Sequence, residues 1–251
     1  MKTNKLVSNN QPKDWLQIVT LECSEYPIDL VNIASDELVV DVGANVGGFY
    51  KAWSHKFSNW LAVEPSKWNC ELYLKNTGRS VEMNFAVWDR SGDTLKLQAY
   101  HIGKGDIPTE SGSFGVMGHV YEDNKHGWKG DFEEVNTISL EDLCEKIGGV
   151  EIGLLKVDCE GAEYNFLCDK NLSQIKYIVM EMHNFLGLKN QEALLNHIKV
   201  THSEIYTTGD GVTSHYVKLF VRNDLYRNNK ILFFSKFLAR INLKLKNLIN
   251  K

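Results

Sequence analysis

Three side chains capable of acid–base or metal chemistry follow two apolar runs in the second half of the chain. Asp158 follows residues 153–157, and Glu181 and His183 follow residues 177–180. We expect both runs to be neighbouring strands whose carboxyl ends share one edge of an open α/β sheet, where such sheets bind ligands. Because side chains alternate along a strand, Glu181 and His183 should face one side and converge with Asp158.

Two kinds of chemistry fit this group of side chains. In the first, His183 is the general base for a hydroxyl group, and Asp158 or Glu160 orients the imidazole. In the second, Asp158, Glu181 and His183 bind a divalent cation that lowers the pKa of the hydroxyl, and this set suits Mg, Mn or Fe(II). An ion cluster that only stabilises the fold is a further interpretation, and the sequence leaves all three open.

A glycine-containing turn supplies the candidate cofactor site. Residues 38–48, LVVDVGANVGG, predict a strand, a tight turn and the start of a helix. Gly43 and Gly47 allow a ligand to approach the backbone, and Asn45 tolerates left-handed geometry while offering a donor and an acceptor. The glycine spacing fits neither the GxGxxG dinucleotide pattern nor the phosphate-binding loop. Asp41 would repel a pyrophosphate but could pair with an ammonium or sulfonium group.

A second acidic residue completes this half of the prediction. The apolar run 60–63 ends at Glu64, where this architecture places the carboxylate that binds a ribose diol. The glycine turn and Glu64 together predict a site for a nucleoside that carries a positive charge.

Four motifs resemble those of a known family. DVGANVGGF at 41–49 and AVEP at 62–65 resemble motif I and the following acidic motif of class I S-adenosylmethionine-dependent methyltransferases. LKVDCEGAE at 155–163 and VMEMH at 179–183 are similar to the FkbM-type methyltransferases, and the resemblance covers about residues 38–221.

The resemblance implies a Rossmann-like fold with a mostly parallel seven-stranded sheet and an antiparallel closing hairpin. It also implies S-adenosylmethionine as cofactor and methyl transfer to hydroxyls of sugars or secondary metabolites. In that fold the end of the third strand, predicted at 81–87, faces the adenine. Asp89 or the backbone near Ala86 could then bind the adenine amino group, although Asp89 also suits the start of a tight turn.

Composition limits the class of protein. The chain has 251 residues, of which 43% are hydrophobic and 24% charged, as expected for one sizeable α/β domain. No apolar segment approaches the roughly 20 residues of a membrane span, and the start of the chain lacks the apolar stretch of a signal peptide. The five cysteines lack CxxC spacing and favour free thiols in a reducing compartment. We therefore expect a cytoplasmic protein.

The last 26 residues differ in kind from the rest. They carry a charge of +7 and no acid, so the preceding 225 residues carry −11. We expect a methyltransferase domain at 1–225, with its core at 38–221, and a basic amphipathic helix at 226–251. Eight apolar residues share one face of that helix: Ile231, Phe234, Phe237, Leu238, Ile241, Leu245, Leu248 and Ile249. Such a helix either lies on an anionic membrane, here its inner face, or docks on the domain itself or on a second subunit.

The sequence as a whole predicts an O-methyltransferase. Its acceptor would be a small-molecule hydroxyl, of a sugar or nucleotide-activated sugar used in surface-glycan biosynthesis, and the acidic body argues against nucleic acid. Residues 103–131, rich in glycine, histidine and aromatics, are expected to cover the acceptor. The alternatives are a nicotinamide-dependent oxidoreductase on a similar sheet and an inactive, membrane-recruited adaptor with this fold.

Overall fold

The computed structural model describes residues 11–99, 131–183, 188–208 and 215–249. The helices are α1 (Gln11–Ser24), a 3-10 helix (Ile28–Leu30), α2 (Gly48–Trp53), α3 (Lys67–Thr77), α4 (Leu140–Lys146), α5 (Glu163–Leu167), α6 (Leu188–Thr201) and α7 (Asn223–Ile249). The strands are β1 (Leu38–Val42), β2 (Trp60–Val63), β3 (Ala86–Val87), β4 (Thr94–Ala99), β5 (Asp131–Ile138), β6 (Ile152–Val157), β7 (Ile175–His183), β8 (His202–Thr207) and β9 (His215–Arg222).

A six-stranded sheet of order β2-β1-β6-β7-β9-β8 forms the centre of the fold. Strands β2, β1, β6 and β7 run parallel, and β9 is antiparallel to both β7 and β8. This arrangement confirms the predicted α/β fold with a mostly parallel sheet and an antiparallel closing hairpin. Nearly all of the predicted acceptor-covering loop at 103–131 lies outside the described residues.

Both faces of the sheet are buried. Leu38, Val40 and Val42 of β1 belong to one apolar cluster. Val39, which alternates with them, belongs to a second cluster on the opposite face. Strands β1 and β6 are therefore buried at every position, which explains why the sequence shows continuous apolar runs there rather than an alternating pattern.

The predicted third strand is shorter than expected. Only Ala86 and Val87 form β3, which pairs with β5 in a separate three-stranded sheet, while Met83 makes a single parallel bridge to Val63. The side-chain amide of Asn84 donates to the backbone oxygens that follow β2, at Glu64 (2.9 Å) and Pro65 (2.7 Å). Because a side chain occupies these backbone acceptors, regular strand pairing between β2 and the segment that contains Met83 does not continue. The described part of the central sheet thus has six strands rather than the predicted seven.

Helix α7 continues directly from β9. It begins at Asn223 and bends at Asn229, whose backbone is not helical (φ −128°, ψ 22°). Its Phe233 is 6% exposed and belongs to the second apolar cluster. The division of the chain at residue 225 stays a prediction. None of the helices in the described ranges is long and apolar enough to cross a membrane.

Candidate active site

The turn between β1 and α2 brings two parts of the chain very close together. Gly43, Asn45 and Gly47 all have positive φ (72°, 49° and 95°), a conformation that favours glycine and tolerates asparagine. A Cβ atom on Gly43 would lie 1.8 Å from the backbone oxygen of Asp158, and one on Gly47 would lie 2.6 Å from Thr77 Cγ2. Both glycines are therefore required by packing within the protein itself, whether or not a ligand lies against the turn.

A cavity of about 510 Å³ opens beside this turn. Its wall includes Gly43 and Asn45 from the turn, Glu64 after β2, and residues 158–160 after β6. Apolar parts of the wall come from Phe85 and Val87. The cavity lies at the carboxyl edge of the parallel strands, where open α/β sheets bind ligands.

Glu64 and Asn45 give the cavity its polar side. The Glu64 carboxylate accepts hydrogen bonds from the backbone amides of Asn45 (2.8 Å) and Ser66 (3.0 Å) and from Asn69 Nδ2 (3.1 Å). Burial nevertheless raises the pKa of Glu64 to about 7. Asn45 Oδ1 is buried and has no hydrogen-bond partner among the described residues. A ligand that brings donors, such as a ribose diol or an amino group, would satisfy both groups.

Two residues predicted near the adenine lie away from this wall. Ala86 is completely buried in the apolar core, while its neighbours Phe85 and Val87 line the cavity, as alternation along an extended segment requires. Asp89 is exposed, and its backbone oxygen accepts a hydrogen bond from Lys170 Nζ (2.7 Å). The residues of this segment that line the cavity are thus Phe85 and Val87, on either side of Ala86, and adenine binding by the backbone near Ala86 stays a prediction.

Asp41 pairs with the protein's own lysine rather than facing the cavity. It is completely buried, and its Oδ1 lies 3.1 Å from Lys156 Nζ. The same ammonium donates to the backbone oxygens of Val42 (3.2 Å) and Gly43 (2.8 Å) and lies 3.5 Å from Asp158 Oδ2. Burial raises the pKa of Asp41 and the neighbouring Lys156 opposes that rise. The prediction that Asp41 pairs with a cationic ligand is corrected accordingly.

The ends of β6 and β7 bring three potential ligands together. One ligand atom each of Asp158, Glu160 and His183 lies within 4.8 Å of the other two, a spacing that could hold a metal ion. His183 Nε2 lies 3.2 Å from Glu160 Oε2. Glu160 has a φ of 51°, which is uncommon for a residue other than glycine and occurs often at functional sites.

Glu163 holds the imidazole in place from the other side. Its Oε1 lies 2.9 Å from His183 Nδ1 and also accepts hydrogen bonds from the backbone amides of Cys159 (3.3 Å) and Gly161 (3.2 Å). A carboxylate bound to one ring nitrogen directs the other towards the site. Glu163, which is completely buried, thus contacts Nδ1 of the imidazole, while Glu160, one of the two residues suggested for the orienting role, contacts Nε2.

Glu181 faces a different partner. The Tyr26 hydroxyl donates to Glu181 Oε2 (2.9 Å) and lies 3.3 Å from Asp158 Oδ2. Among the described residues, the group whose spacing could hold a metal ion contains Glu160 rather than Glu181, and a metal site here stays a prediction. The physical reason is the left-handed turn at Glu160, which the alternation rule for straight strands does not foresee.

The charges of the cluster bear on the predicted general base. Burial lowers the pKa of His183, but Glu163, Glu160 and Asp158 outweigh burial and raise it to about 10. These carboxylates favour the protonated imidazole, and the role of His183 as a general base stays a prediction. Burial and neighbouring carboxylates raise the pKa of Glu160 to about 8 and that of Glu181 to about 7.

Sequence reasoning missed Lys156, Glu163 and Tyr26 as parts of this site. Lys156 carried a signal, because a lysine within a continuously apolar strand must find a buried partner. Glu163 stood in the LKVDCEGAE motif, where its place at a helix start explained it equally well. Tyr26 carried no signal, since it reaches the site from the segment that precedes the sheet.

The chain has distant likenesses among solved structures. Solved structures similar to the chain include three with identities near 10%. Protein 1320 of Thermoplasma acidophilum has 10% identity and a TM-score of 0.44, and the match covers 85% of this chain and 98% of that one. For precorrin-6y C5,15-methyltransferase of Geobacter metallireducens the identity is 10%, the TM-score 0.39 and the coverage 87% of this chain and 91% of that one. For ribosomal protein L11 methylase of Lactobacillus delbrueckii subsp. bulgaricus the identity is 9%, the TM-score 0.38 and the coverage 88% of this chain and 90% of that one. At these scores the likenesses carry no argument about function.

The sequence comparisons are more specific. No curated protein sequence matches the chain significantly. The profile of the Methyltransferase FkbM domain matches residues 41–208, which is more than half of the chain and includes the glycine turn, Glu64 and the Asp158–Glu160–His183 cluster. The chain therefore belongs to the FkbM methyltransferase domain family.

Proposed function

We propose that this methyltransferase transfers the methyl group of S-adenosylmethionine to a hydroxyl oxygen of a sugar or nucleotide-activated sugar in surface-glycan biosynthesis. We further propose that Asp158, Glu160 and His183 hold a divalent cation during the reaction. One observation carries this proposal: Asp158 and Glu160 belong both to the wall of the cofactor cavity and to the group of potential metal ligands. A methyl donor in the cavity would therefore lie next to an acceptor at the cluster.

The cavity fits the donor through several kinds of contact. The Glu64 carboxylate can accept hydrogen bonds from the ribose hydroxyls, and the unpaired Asn45 Oδ1 can accept one from an amino group. Phe85 and Val87 provide an apolar surface for the adenine ring.

Excess negative charge supports the cation. The cluster and its immediate neighbours contain two cationic groups, Lys156 and His183. They contain five carboxylates: Asp41, Asp158, Glu160, Glu163 and Glu181. Such an imbalance in a buried site is corrected either by protons on the carboxyl groups or by a metal ion. A bound divalent cation would replace the proton of His183, because metal ligands must be deprotonated, and would lower the pKa of the acceptor hydroxyl.

The protein's own residues would then act mainly by positioning. Glu163 fixes the His183 ring through Nδ1, and Tyr26 fixes the Glu181 carboxylate beside Asp158. In the reaction the acceptor oxygen would form a bond to the methyl carbon, the carbon–sulfur bond would break to release S-adenosylhomocysteine, and the hydroxyl proton would pass to water. Such a displacement is accelerated by alignment of oxygen, carbon and sulfur.

The test is methyl transfer by the purified protein to a panel of sugars and nucleotide sugars. Transfer should stop after chelation and return on addition of Mg, Mn or Fe(II). His183→Ala should abolish transfer but leave the affinity for S-adenosylmethionine unchanged in calorimetry. Binding of the donor without transfer to any member of the panel, with or without metals, would favour the inactive adaptor.

A matched pair of variants tests the ligand set. Glu160→Gln should lower metal affinity by about 10- to 100-fold, as loss of a coordinating or supporting group does. Glu181→Gln should have a smaller effect, because the Tyr26 hydroxyl can hydrogen-bond an amide oxygen as it does the carboxylate. Equal losses in the two variants, or transfer that survives chelation, would remove the proposed cation site.

A further inference from the structure

We propose that helix α7 docks the protein on an anionic lipid surface. The contact would be made by the outer face of α7, which we define as Ile231, Phe234, Phe237 and Leu238. This interaction surface is separate from the candidate active site and does not depend on the proposed reaction.

The outer face of α7 is apolar and open to solvent. Ile231 is 87% exposed, Phe234 64%, Leu238 44% and Phe237 37%. The spacing of three and four residues from Ile231 to Phe234 and Leu238 places them on one side of the helix. In the sequence the same spacing of apolar residues continues at Ile241, Leu245 and Leu248. Contiguous exposed apolar residues of this size mark a binding surface.

Contacts on another side of α7 hold the helix against the domain, so that it cannot rotate to bury the outer face. Phe233 is 6% exposed and meets Tyr177 of β7 edge to face, with ring centroids 6.4 Å apart. Two turns further on, Arg240 forms an ion pair with Asp29 and donates to the backbone oxygen of Glu25 (2.9 Å). These two anchors fix the rotation of the helix about its axis. The outer face therefore points away from the domain.

The charge of the segment favours lipid over a second copy of the chain. Residues 226–251 carry +7 and no acid, and the exposed Arg227 and Lys230 lie at the start of the outer face. Two copies paired along this face would bring two such segments together, and like charges repel. Anionic headgroups have the opposite charge, and a basic helix with one apolar face lies in the plane of such a surface.

Vesicle binding by the full chain tests this proposal. The protein should bind vesicles of phosphatidylcholine with phosphatidylglycerol, bind pure phosphatidylcholine vesicles far more weakly, and dissociate as salt is raised. Ile231→Ser and Phe234→Ser should each weaken binding by about tenfold, as expected when one large apolar side chain no longer enters the interface. Val200→Ser is the matched control, because Val200 is 74% exposed but lies on α6, outside the outer face.

Thermal unfolding of the same variants separates docking from folding. All three replaced residues are exposed, so each variant should melt at the temperature of the parent protein. The proposal is overturned if the protein does not bind the anionic vesicles, or if Ile231→Ser and Phe234→Ser bind as tightly as Val200→Ser. It is also overturned if light scattering shows a dimer that Phe234→Ser dissociates while no vesicles are bound, since a second copy would then cover this face.

Discussion

Replacing Lys156 by methionine keeps most of the side-chain length and removes its charge. Lys156 is 2% exposed, and its Nζ lies within 3.5 Å of four oxygen atoms, from Asp41, Asp158, Val42 and Gly43. Removal of one partner from a buried ion pair leaves an uncompensated charge and costs about 3–5 kcal/mol. We expect Lys156→Met to lower the free energy of unfolding by about this amount.

Urea denaturation of four proteins measures the effect: the parent, Lys156→Met, Asp41→Asn and the double variant. Because Asp41→Asn removes the stranded carboxylate, the double variant should be more stable than the sum of the single losses predicts, by about 1–3 kcal/mol. Lys176→Met is the control. Lys176 pairs with Glu37 and Glu151 at the surface, so its replacement should cost about 0–1 kcal/mol.

The same variants report on the cofactor site. Because Lys156 Nζ also holds the backbone oxygen of Gly43 in the glycine turn, Lys156→Met should weaken S-adenosylmethionine binding, whereas Lys176→Met should not. The reasoning is refuted if Lys156→Met costs no more stability than Lys176→Met, or if the losses in the double variant simply add.

Two further predictions concern the turn and the carboxylate beside it. In denaturation, Gly43→Ala should destabilise the protein by several kcal/mol more than Gly78→Ala. Both glycines have positive φ, but only at Gly43 would the new Cβ meet a backbone atom, since it would lie 1.8 Å from Asp158 O. Equal losses in the two variants would contradict this close approach. The pKa of Glu64 is raised by burial from 4.5 to about 7, so the folded state keeps a proton that the unfolded state loses. The contribution of Glu64 to the free energy of unfolding should therefore fall by up to about 3 kcal/mol as pH rises from about 4.5 to about 7. Glu64→Gln should remove this part of the pH dependence. Denaturation of both proteins at several pH values measures the difference.

The sequence predicted the central parallel strands well because the pattern of buried residues is strong. Strands β1 and β6 are continuous apolar runs, and β7 ends in the polar residues that mark a sheet edge. The convergence of Asp158 and His183 follows from this edge alone, since parallel neighbours end together. Choosing between Glu160 and Glu181 was beyond the sequence, because it depends on a left-handed turn after β6.

The partner of Asp41 could not be predicted for a different reason. In the sheet Asp41 stands directly opposite Lys156, in a register between two strands that are far apart in the chain. Periodicity within each strand says nothing about that register. Likewise the spacing of apolar residues identified the outer face of α7, but the residue that docks the helix on the domain is Phe233, which lies outside that spacing.

The position of β9 shows that the stretch shared with the family and the unit that can fold have different boundaries. Residues 41–208 end before β9, which lies between β7 and β8, so a fragment cut at those limits would leave β8 without a neighbouring strand. It would also lose Tyr26 and the apolar residues before β1 that pack on Phe49, together with Phe233. A fragment meant to keep the site intact should therefore extend at least from α1 to the Arg240 contacts of α7.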